Sequence, residues 1–207
     1  MTTLTTLPFD NKYIEQFSKE NDEPKWMTTL RLEGLDLAQS LDLPKPDKTN
    51  ITRWNFTQFK HSSKGEKISD LKNIPEQLKD FIDENNTPKN IVILRNQSVA
   101  YAALDDDLKG KGVIFTDIFT ALKEHGELVQ KYYMEDAVAI DEHKLTALHA
   151  ALMNGGIFVY VPKNIQLKEP LQTIFWQEDR EAALFNHVIV VAEENSEVTY
   201  VENYISD

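Results

Sequence analysis

Hydrophobic residues in the first 85 positions recur at the spacing of short amphipathic helices, with polar connections between them. From Trp26 to Leu41 they form one helical stripe, which Gly34 weakens. The prolines in residues 43–47 end this helix, because proline has no amide hydrogen and disfavours a helical residue before it. Residues 71–82 repeat the 3.6-residue period, with a proline where a first turn tolerates it, and predict a further helix.

From residue 90 onward, strand patterns appear between helical ones. Residues 90–94 and 99–104 are apolar runs around the polar pair Asn96-Gln97, which predicts a hairpin. Residues 118–132 then predict a helical block with a break at Gly126.

A second helix is predicted from about Glu142 to Asn154, with leucines on one face. Gly155-Gly156 follows, and glycine readily adopts the positive φ that often terminates a helix. We therefore expect this glycine pair to stop the helix.

The rest of the chain predicts strands separated by turns. The apolar runs are residues 157–161, 171–176, 187–191 and 198–205, with a turn at residues 193–196. This spacing fits a β-sandwich, a barrel or a solenoid and does not choose among them. Because the last strong strand ends beside the last residue, we expect the natural protein to continue.

The predicted fold class is therefore α+β, in three parts. Residues 1–88 form an N-terminal helical region, and residues 89–156 form a mixed segment with a hairpin and two helices. Residues 157–207 form stacked short strands, which we expect to be truncated.

Composition excludes several classes of function. The net charge of −12 disfavours nucleic acid and anionic membrane surfaces, both of which select basic proteins. The absence of cysteine excludes disulfides, thiolate nucleophiles and thiolate-held iron–sulfur clusters within these residues. With no signal peptide and no apolar run of the length of a membrane span, the expected location is cytoplasmic.

No motif for a nucleotide site or a nucleophile elbow occurs, and residues 110–112 (Gly-Lys-Gly) predict only a turn. His143 and His149 lie six residues apart on one predicted helix, about 120° around its axis, so they do not converge on a metal. His187 opens an apolar strand, where a hydrogen bond at the strand edge is the simpler expectation.

The remaining polar and aromatic candidates have plain structural interpretations. Residues 105–107 are three aspartates without the alternation of a calcium loop, which predicts an acidic turn. The glutamates at 193–194 lie in a predicted turn and are expected to be solvated. Trp26, Trp54 and Trp176 each have apolar neighbours and are expected to anchor cores. We accordingly assign no catalytic, cofactor-binding or metal-binding residue.

Residues 145–164, from Leu145 through Gly155-Gly156 to the sequence Val-Pro-Lys-Asn, resemble a segment of the SufB/SufD family, where a helix passes through small residues into a strand. Further segments resemble the same family: residues 23–27, 43–44, 54–56, 112–115 with Ala121, Leu122 and His125, 169–172, and 188–202. The resemblance spans nearly the whole chain.

Within that family the sequence looks more like the SufD branch than the SufB branch. Asn203-Tyr204 stands where SufB-like chains carry a glycine and a cysteine, and residues 141–144 also look SufD-like.

The resemblance implies a right-handed β-helix entered through the helical region. It also implies a scaffold role in iron–sulfur cluster assembly, with SufB-like and SufC-like (ATPase) partners. The segments that dock the ATPase and handle the cluster would lie outside this chain, so no cofactor is expected in it.

Two other functions remain open on sequence grounds. A carbohydrate-active β-solenoid enzyme would need convergent carboxylates, for which Glu193, Glu202 and Asp207 are the nearest candidates. A generic adaptor solenoid would need none. In a solenoid that lacks its next coil, the strand at 198–205 would place Val198, Tyr200 and Tyr204 on one face and Val201 and Ile205 on the other, and we expect its free edge to pair with a second copy.

Overall fold

The chain folds into α-helices and two mixed β-sheets, as seen in a computed structural model that describes residues 7–82, 88–135 and 137–206. The α+β prediction is confirmed. The helices in this described part are α1 (Asn11–Glu20), α2 (Lys25–Ser40), α3 (Asp106–Gly110), α4 (Ile118–Glu124), α5 (Gly126–Gln130) and α6 (Lys144–Leu152). The strands are β1 (Ile91–Arg95), β2 (Ser98–Ala103), β3 (Ile114–Asp117), β4 (Gly155–Val161), β5 (Leu171–Gln177), β6 (Asn186–Ala192) and β7 (Tyr200–Ser206).

The residues form two compact units, each discontinuous in sequence. A helical unit combines Met1–His61 with Phe119–Asn154, and a β unit combines Ser62–Ile118 with Gly155–Asp207. The predicted three-part division at residues 88 and 156 stays a prediction. No helix in the described part of the chain is long and apolar enough to cross a membrane.

A fully buried ion pair lies at the centre of the helical unit. The Arg31 guanidinium on α2 donates from Nε and Nη2 to the Glu23 carboxylate, at 2.8 and 2.5 Å. Its Nη1 donates to the Ala151 carbonyl at the end of α6, at 3.0 Å, and the group lies 5.0 Å from the Phe17 ring centre. Because buried charges need partners, these contacts join α1, α2, the turn between them and α6.

Helix α2 crosses α6 at Gly34, where the backbones approach closely. A Cβ atom at Gly34 would lie 2.8 Å from the Ala147 carbonyl oxygen and 3.0 Å from both Ala150 Cβ and Ala151 N. The sequence indicates Gly34 as a weak point of the helix, but here the missing side chain is what admits the second helix.

His61 attaches the irregular segment that follows α2 to helices α1 and α6. Its Nε2 lies 2.7 Å from the Leu152 carbonyl, which can only accept, so Nε2 carries the hydrogen. Its Nδ1 therefore accepts from the Tyr13 hydroxyl at 2.7 Å. Burial lowers the pKa of His61 to about 4, so the ring is neutral near pH 7.

In the β unit the chain alternates between two sheets. The sheet orders are β2-β1-β5-β7 and β3-β4-β6, so β4, β5, β6 and β7 alternate from one sheet to the other. The pairs β4–β6 and β5–β7 are parallel, with Gly155 opposite Asn186 and Leu171 opposite Tyr200. Strands β4 and β5 therefore each pair with the strand about 30 residues further along the chain.

Apolar side chains fill both faces of the longer sheet. One cluster lies between the two sheets and includes Val92, Phe115, Val159 and Phe175. A second cluster, with Ile93 and Trp176, is covered by the segment from Leu71 to Ile82. Central strands β1, β4 and β5 are consequently almost completely buried.

The turn that follows β4 is stacked on the turn that follows β6. Asn164 and Asn195 occupy these turns with φ values of 62° and 58°, a left-handed conformation that asparagine tolerates. The Asn195 amide donates to the Asn164 side-chain oxygen at 3.3 Å, and the Asn164 backbone N–H donates to the Glu194 carbonyl at 3.0 Å.

Two local predictions were wrong. Residues 71–82 form two short 3₁₀ turns, Leu71–Asn73 and Glu76–Leu78, because Ile74 before Pro75 is extended, as a residue before proline prefers. Gly155-Gly156 does not end the helix, since α6 ends at Leu152 and both glycines belong to β4. A Cβ atom at Gly156, whose φ is 153°, would lie 1.9 Å from the His187 carbonyl oxygen.

Replacement of Gly34 by alanine tests the helix crossing. We expect Gly34→Ala to lower the free energy of unfolding by about 1–3 kcal/mol, because the added methyl meets backbone atoms that cannot move away. The matched control is Gly110→Ala at the end of α3, where a Cβ atom meets nothing within 4 Å. Urea denaturation should show no loss in the control, and equal losses in both variants would contradict the packing argument.

The buried imidazole predicts a dependence of stability on pH. Between the ordinary histidine pKa of 6.5 and about pH 4, His61 is protonated in the unfolded chain but neutral in the folded protein. The free energy of unfolding therefore falls as the pH decreases through this window. The loss for this one group is at most about 3 kcal/mol. His149, whose pKa burial also lowers to about 4, acts in the same direction. His61→Gln should therefore reduce the slope of unfolding free energy against pH between 6.5 and 4, and an unchanged slope would refute the assignment.

Candidate interaction surface

Burial decreases along the stack of strands in the β unit. Strands β4 and β5 are nearly all buried, whereas β6 and β7, the last strands of their sheets, are mostly half-buried or exposed. Val190, Val201 and Tyr204 are 43%, 38% and 58% exposed. We call β6 and β7 together the open coil. An edge strand offers backbone N–H and C=O groups to another strand, so this surface is suited to pairing.

Tyr204 holds the two strands of the open coil together. Its ring stacks on Phe175 at 4.7 Å between centres and 15° between planes. Its hydroxyl donates to the Glu202 carboxylate at 2.9 Å and accepts from the Asn186 side chain on β6 at 2.9 Å. Burial and the bond to Glu202 raise the pKa of Tyr204 to about 12, so the phenol stays protonated. The open coil is thus ordered although it is exposed.

The side chains of residues 198–205 lie on the two faces of the strand as predicted. Val198 and Tyr200 pack against the cluster between the sheets, and Tyr200 donates to the Thr173 hydroxyl at 3.1 Å. Ile205 packs against the opposite cluster, and Val201 is exposed.

The three candidate histidines have different structural positions. His143 is the N-cap of α6, where its Nδ1 accepts from the Leu145 and Thr146 amides at 3.2 and 3.1 Å. His149 lies inside α6, and His187 lies in β6 of the other unit. Among the described residues, no group of three or more His, Asp or Glu side chains could hold a metal ion.

The acidic candidates are engaged in local structure. Asp105 caps α3 by accepting from the Asp107 amide at 2.9 Å, and Asp106 and Asp107 pair with Lys109 and Lys111. Gly112 follows in a turn with φ of 82°.

Of the carboxylates considered for glycan chemistry, Glu193 lies in the turn after β6 and Glu202 lies in β7. Glu202 bonds to Tyr204, and Glu194 beside Glu193 pairs with Lys163. Asp207 lies outside the described residues.

The tryptophans divide into three environments. Trp176 is buried, with the Arg95 guanidinium 4.5 Å from its ring centre, as a core anchor should be. Trp26 is half-buried. Trp54 is 59% exposed, so the expectation of a core anchor was wrong there. Its immediate neighbours Arg53 and Asn55 are polar, which is the local signal for exposure.

Comparison with known proteins identifies the family of this chain. Residues 10–173 match the family described as SufBD protein N-terminal region. The chain belongs to the SufB/SufD family. It is 53% identical over all 207 residues to the iron–sulfur cluster assembly protein SufD of Bacillus subtilis (strain 168). It is 32% identical over 199 residues, 91% of the chain, to an iron–sulfur cluster assembly SufBD family protein of Staphylococcus aureus (strain USA300).

The predicted SufB/SufD membership and its SufD preference are both confirmed. The chain covers 47% of the Bacillus protein and 42% of the Staphylococcus protein. It thus spans less than half the length of these relatives.

The open coil of this SufB/SufD family member predicts self-association of the chain. We expect the 207-residue chain to associate at high concentration, because strand pairing and apolar burial act at short range while salt screens the charge beyond about 8 Å. Val190→Lys with Val201→Lys should keep it monomeric in analytical ultracentrifugation. Val138→Lys, at a valine 42% exposed in the other unit, is the control and should still associate. A strictly monomeric parent would contradict the prediction.

Proposed function

We propose that this chain forms the N-terminal part of a SufD-type subunit that acts as a non-catalytic scaffold in iron–sulfur cluster assembly. The subunit works in the cytoplasm, in a complex with SufB-like and SufC-like chains, of which the SufC-like chain is the ATPase. The observation that carries this proposal is the 53% identity to a SufD protein over all 207 residues.

The β unit supplies the structural part of the proposal. Its alternating strands and parallel pairing offset by about 30 residues are what the first coils of a right-handed β-helix require. In the complete subunit, a further coil pairs with β6 and β7 and covers Val190 and Val201. The chain thereby provides a rigid starting layer on which the remaining coils stack.

The residue chemistry supports a scaffold rather than a centre of catalysis. Iron–sulfur clusters are held mainly by cysteine thiolates, and the chain contains no cysteine. It also lacks a glycine-rich loop with the spacing that binds nucleotide phosphates. In this proposal the other subunits, or the remainder of the SufD-type chain, carry the cluster and the nucleotide.

Co-purification tests the assignment of partners. The full-length protein that contains this chain is expressed with the SufB-like and SufC-like proteins of the same organism, with a tag on the SufC-like protein. We expect all three to elute together at constant ratio after gel filtration. Elution of this chain apart from both partners would refute the proposal.

Hydrogen exchange tests the predicted coil. Within residues 186–192 and 200–206, the alternate amides on the outer edge should exchange at least tenfold more slowly in the full-length protein than in the 207-residue chain, because a covering strand protects edge amides. Amides of β4 serve as the internal control, since that strand is already central. Equal exchange at β6 and β7 in both proteins would contradict the β-helix.

The isolated chain should neither bind ATP nor retain an iron–sulfur cluster. Calorimetry at micromolar ATP should give no binding heat. After anaerobic reconstitution, a desalting column should remove the iron and the visible absorption. A chromophore that survives the column would show that side chains other than thiolates hold a cluster here.

A further inference from the structure

A basic and aromatic loop stands out in this acidic chain. Residues 45–60, which we call the Trp54 loop, contain four basic side chains and one acidic side chain, whereas the whole chain has a net charge of −12. The loop belongs to the helical unit and carries Trp54, 59% exposed, with Phe56 at 6.3 Å between ring centres. Neither the core nor the open coil accounts for this concentration of positive charge and exposed ring surface.

The loop is held in shape by its own hydrogen bonds. The Asn50 side-chain oxygen accepts from the Thr52 amide at 3.0 Å and from its hydroxyl at 2.6 Å. The Asn55 side-chain oxygen accepts from the Thr57 and Gln58 amides at 3.2 and 2.8 Å, while its amide group donates to the Gln58 carbonyl at 2.5 Å. These bonds fix the backbone on both sides of Trp54.

One buried side chain anchors this loop. Ile51 is buried, and its carbonyl accepts from the Trp54 amide at 3.0 Å. The exposed tryptophan is therefore presented from an ordered turn. A preorganised loop loses little conformational entropy when it binds, so exposure in this form favours recognition.

Three of the loop's four positive charges are available to a partner. Lys45, Lys48 and Arg53 are exposed and form no ion pair with any residue in the described part of the chain. Arg53 is adjacent to Trp54, and arginine and tryptophan are the residue types that most often dominate protein interfaces.

We propose that the Trp54 loop docks an acidic segment of another protein, with Trp54 against an apolar side chain and Arg53 and Lys48 against carboxylates. Charge complementarity selects an acidic partner, because the rest of the chain would repel it everywhere else. Nucleic acid fits less well. Its affinity depends on neutralising many phosphates, and this loop offers few cations within a strongly acidic chain.

The test uses a labelled 15-residue peptide of Asp, Glu and Ser with two Phe residues, and a twin peptide in which Asn and Gln replace the acids. Fluorescence anisotropy measures binding to the 207-residue chain, and iodide quenching reports the exposure of Trp54. We expect the acidic peptide to bind at low salt, to protect Trp54 from iodide and to bind at least tenfold better than its twin. Salt at 1 M should weaken the binding, because it shortens the screening length to about 3 Å.

Three variants distinguish an effect of the Trp54 loop on peptide binding from an effect of the chain's net charge. Lys48→Glu with Arg53→Glu should weaken peptide binding at least tenfold, and Trp54→Ala should do the same without a change of charge. Lys25→Glu with Lys168→Glu makes the same change in charge at exposed lysines outside the loop and should weaken binding less than threefold. Thermal unfolding of all variants checks that each remains folded.

Four results would overturn the proposal: no binding of the acidic peptide, equal binding of the two peptides, equal weakening by the two charge-reversal pairs, or tighter binding of a 15-nucleotide oligothymidylate. Self-association that Trp54→Ala abolishes would also overturn it, since the occupant would then be a second copy of this chain.

Discussion

The helical unit depends on a charge that has no contact with water. Arg31 and Glu23 are both fully buried at their side chains, and each would be strongly unfavourable alone. Because Arg31 also donates to Ala151 and lies over Phe17, the same guanidinium determines where α1, α2 and α6 meet. Removal of one partner leaves an unpaired buried charge, whereas an apolar pair of similar volume could replace both. The pair therefore constrains how these helices are arranged, and Gly34 allows α2 and α6 to approach closely.

The β unit rests on a different constraint, which is the repetition of pairing at an offset of about 30 residues. Three positions make the repetition possible. Gly156 lets β4 lie against β6 where any Cβ would meet the His187 carbonyl, and the asparagines at 164 and 195 turn the chain at equivalent points. Apolar clusters cover both faces of the longer sheet around β1 and β5, whereas β6 and β7 end their sheets and leave Val190, Val201 and Tyr204 exposed.

Periodicity alone predicted most of the elements, because residues 91–103, 118–130 and 144–152 carry local patterns that agree with their final structure. It failed at Pro75 and at Gly155-Gly156, where the same residue types serve either a helix end or a close contact between strands. The role of Gly156 depends on His187, 31 residues away, and no local pattern contains that information. The burial of Arg31 likewise could not be predicted from the sequence, because a charged residue on an amphipathic helix is ordinarily solvated. Trp54 shows the opposite error: nearby apolar residues such as Phe56 led to the prediction of a core position, although Arg53 and Asn55 on either side of it are polar and the ring is exposed.

The two exposed surfaces differ in what can occupy them. The open coil offers backbone edges beside valine and tyrosine, and its chemistry selects another strand of any sequence that alternates suitably. The Trp54 loop offers exposed cations and an aromatic ring on an ordered turn, so its chemistry selects particular side chains. A contact at the Trp54 loop is therefore sensitive to salt and to the partner's side chains, whereas pairing along β6 and β7 depends on backbone hydrogen bonds and apolar burial.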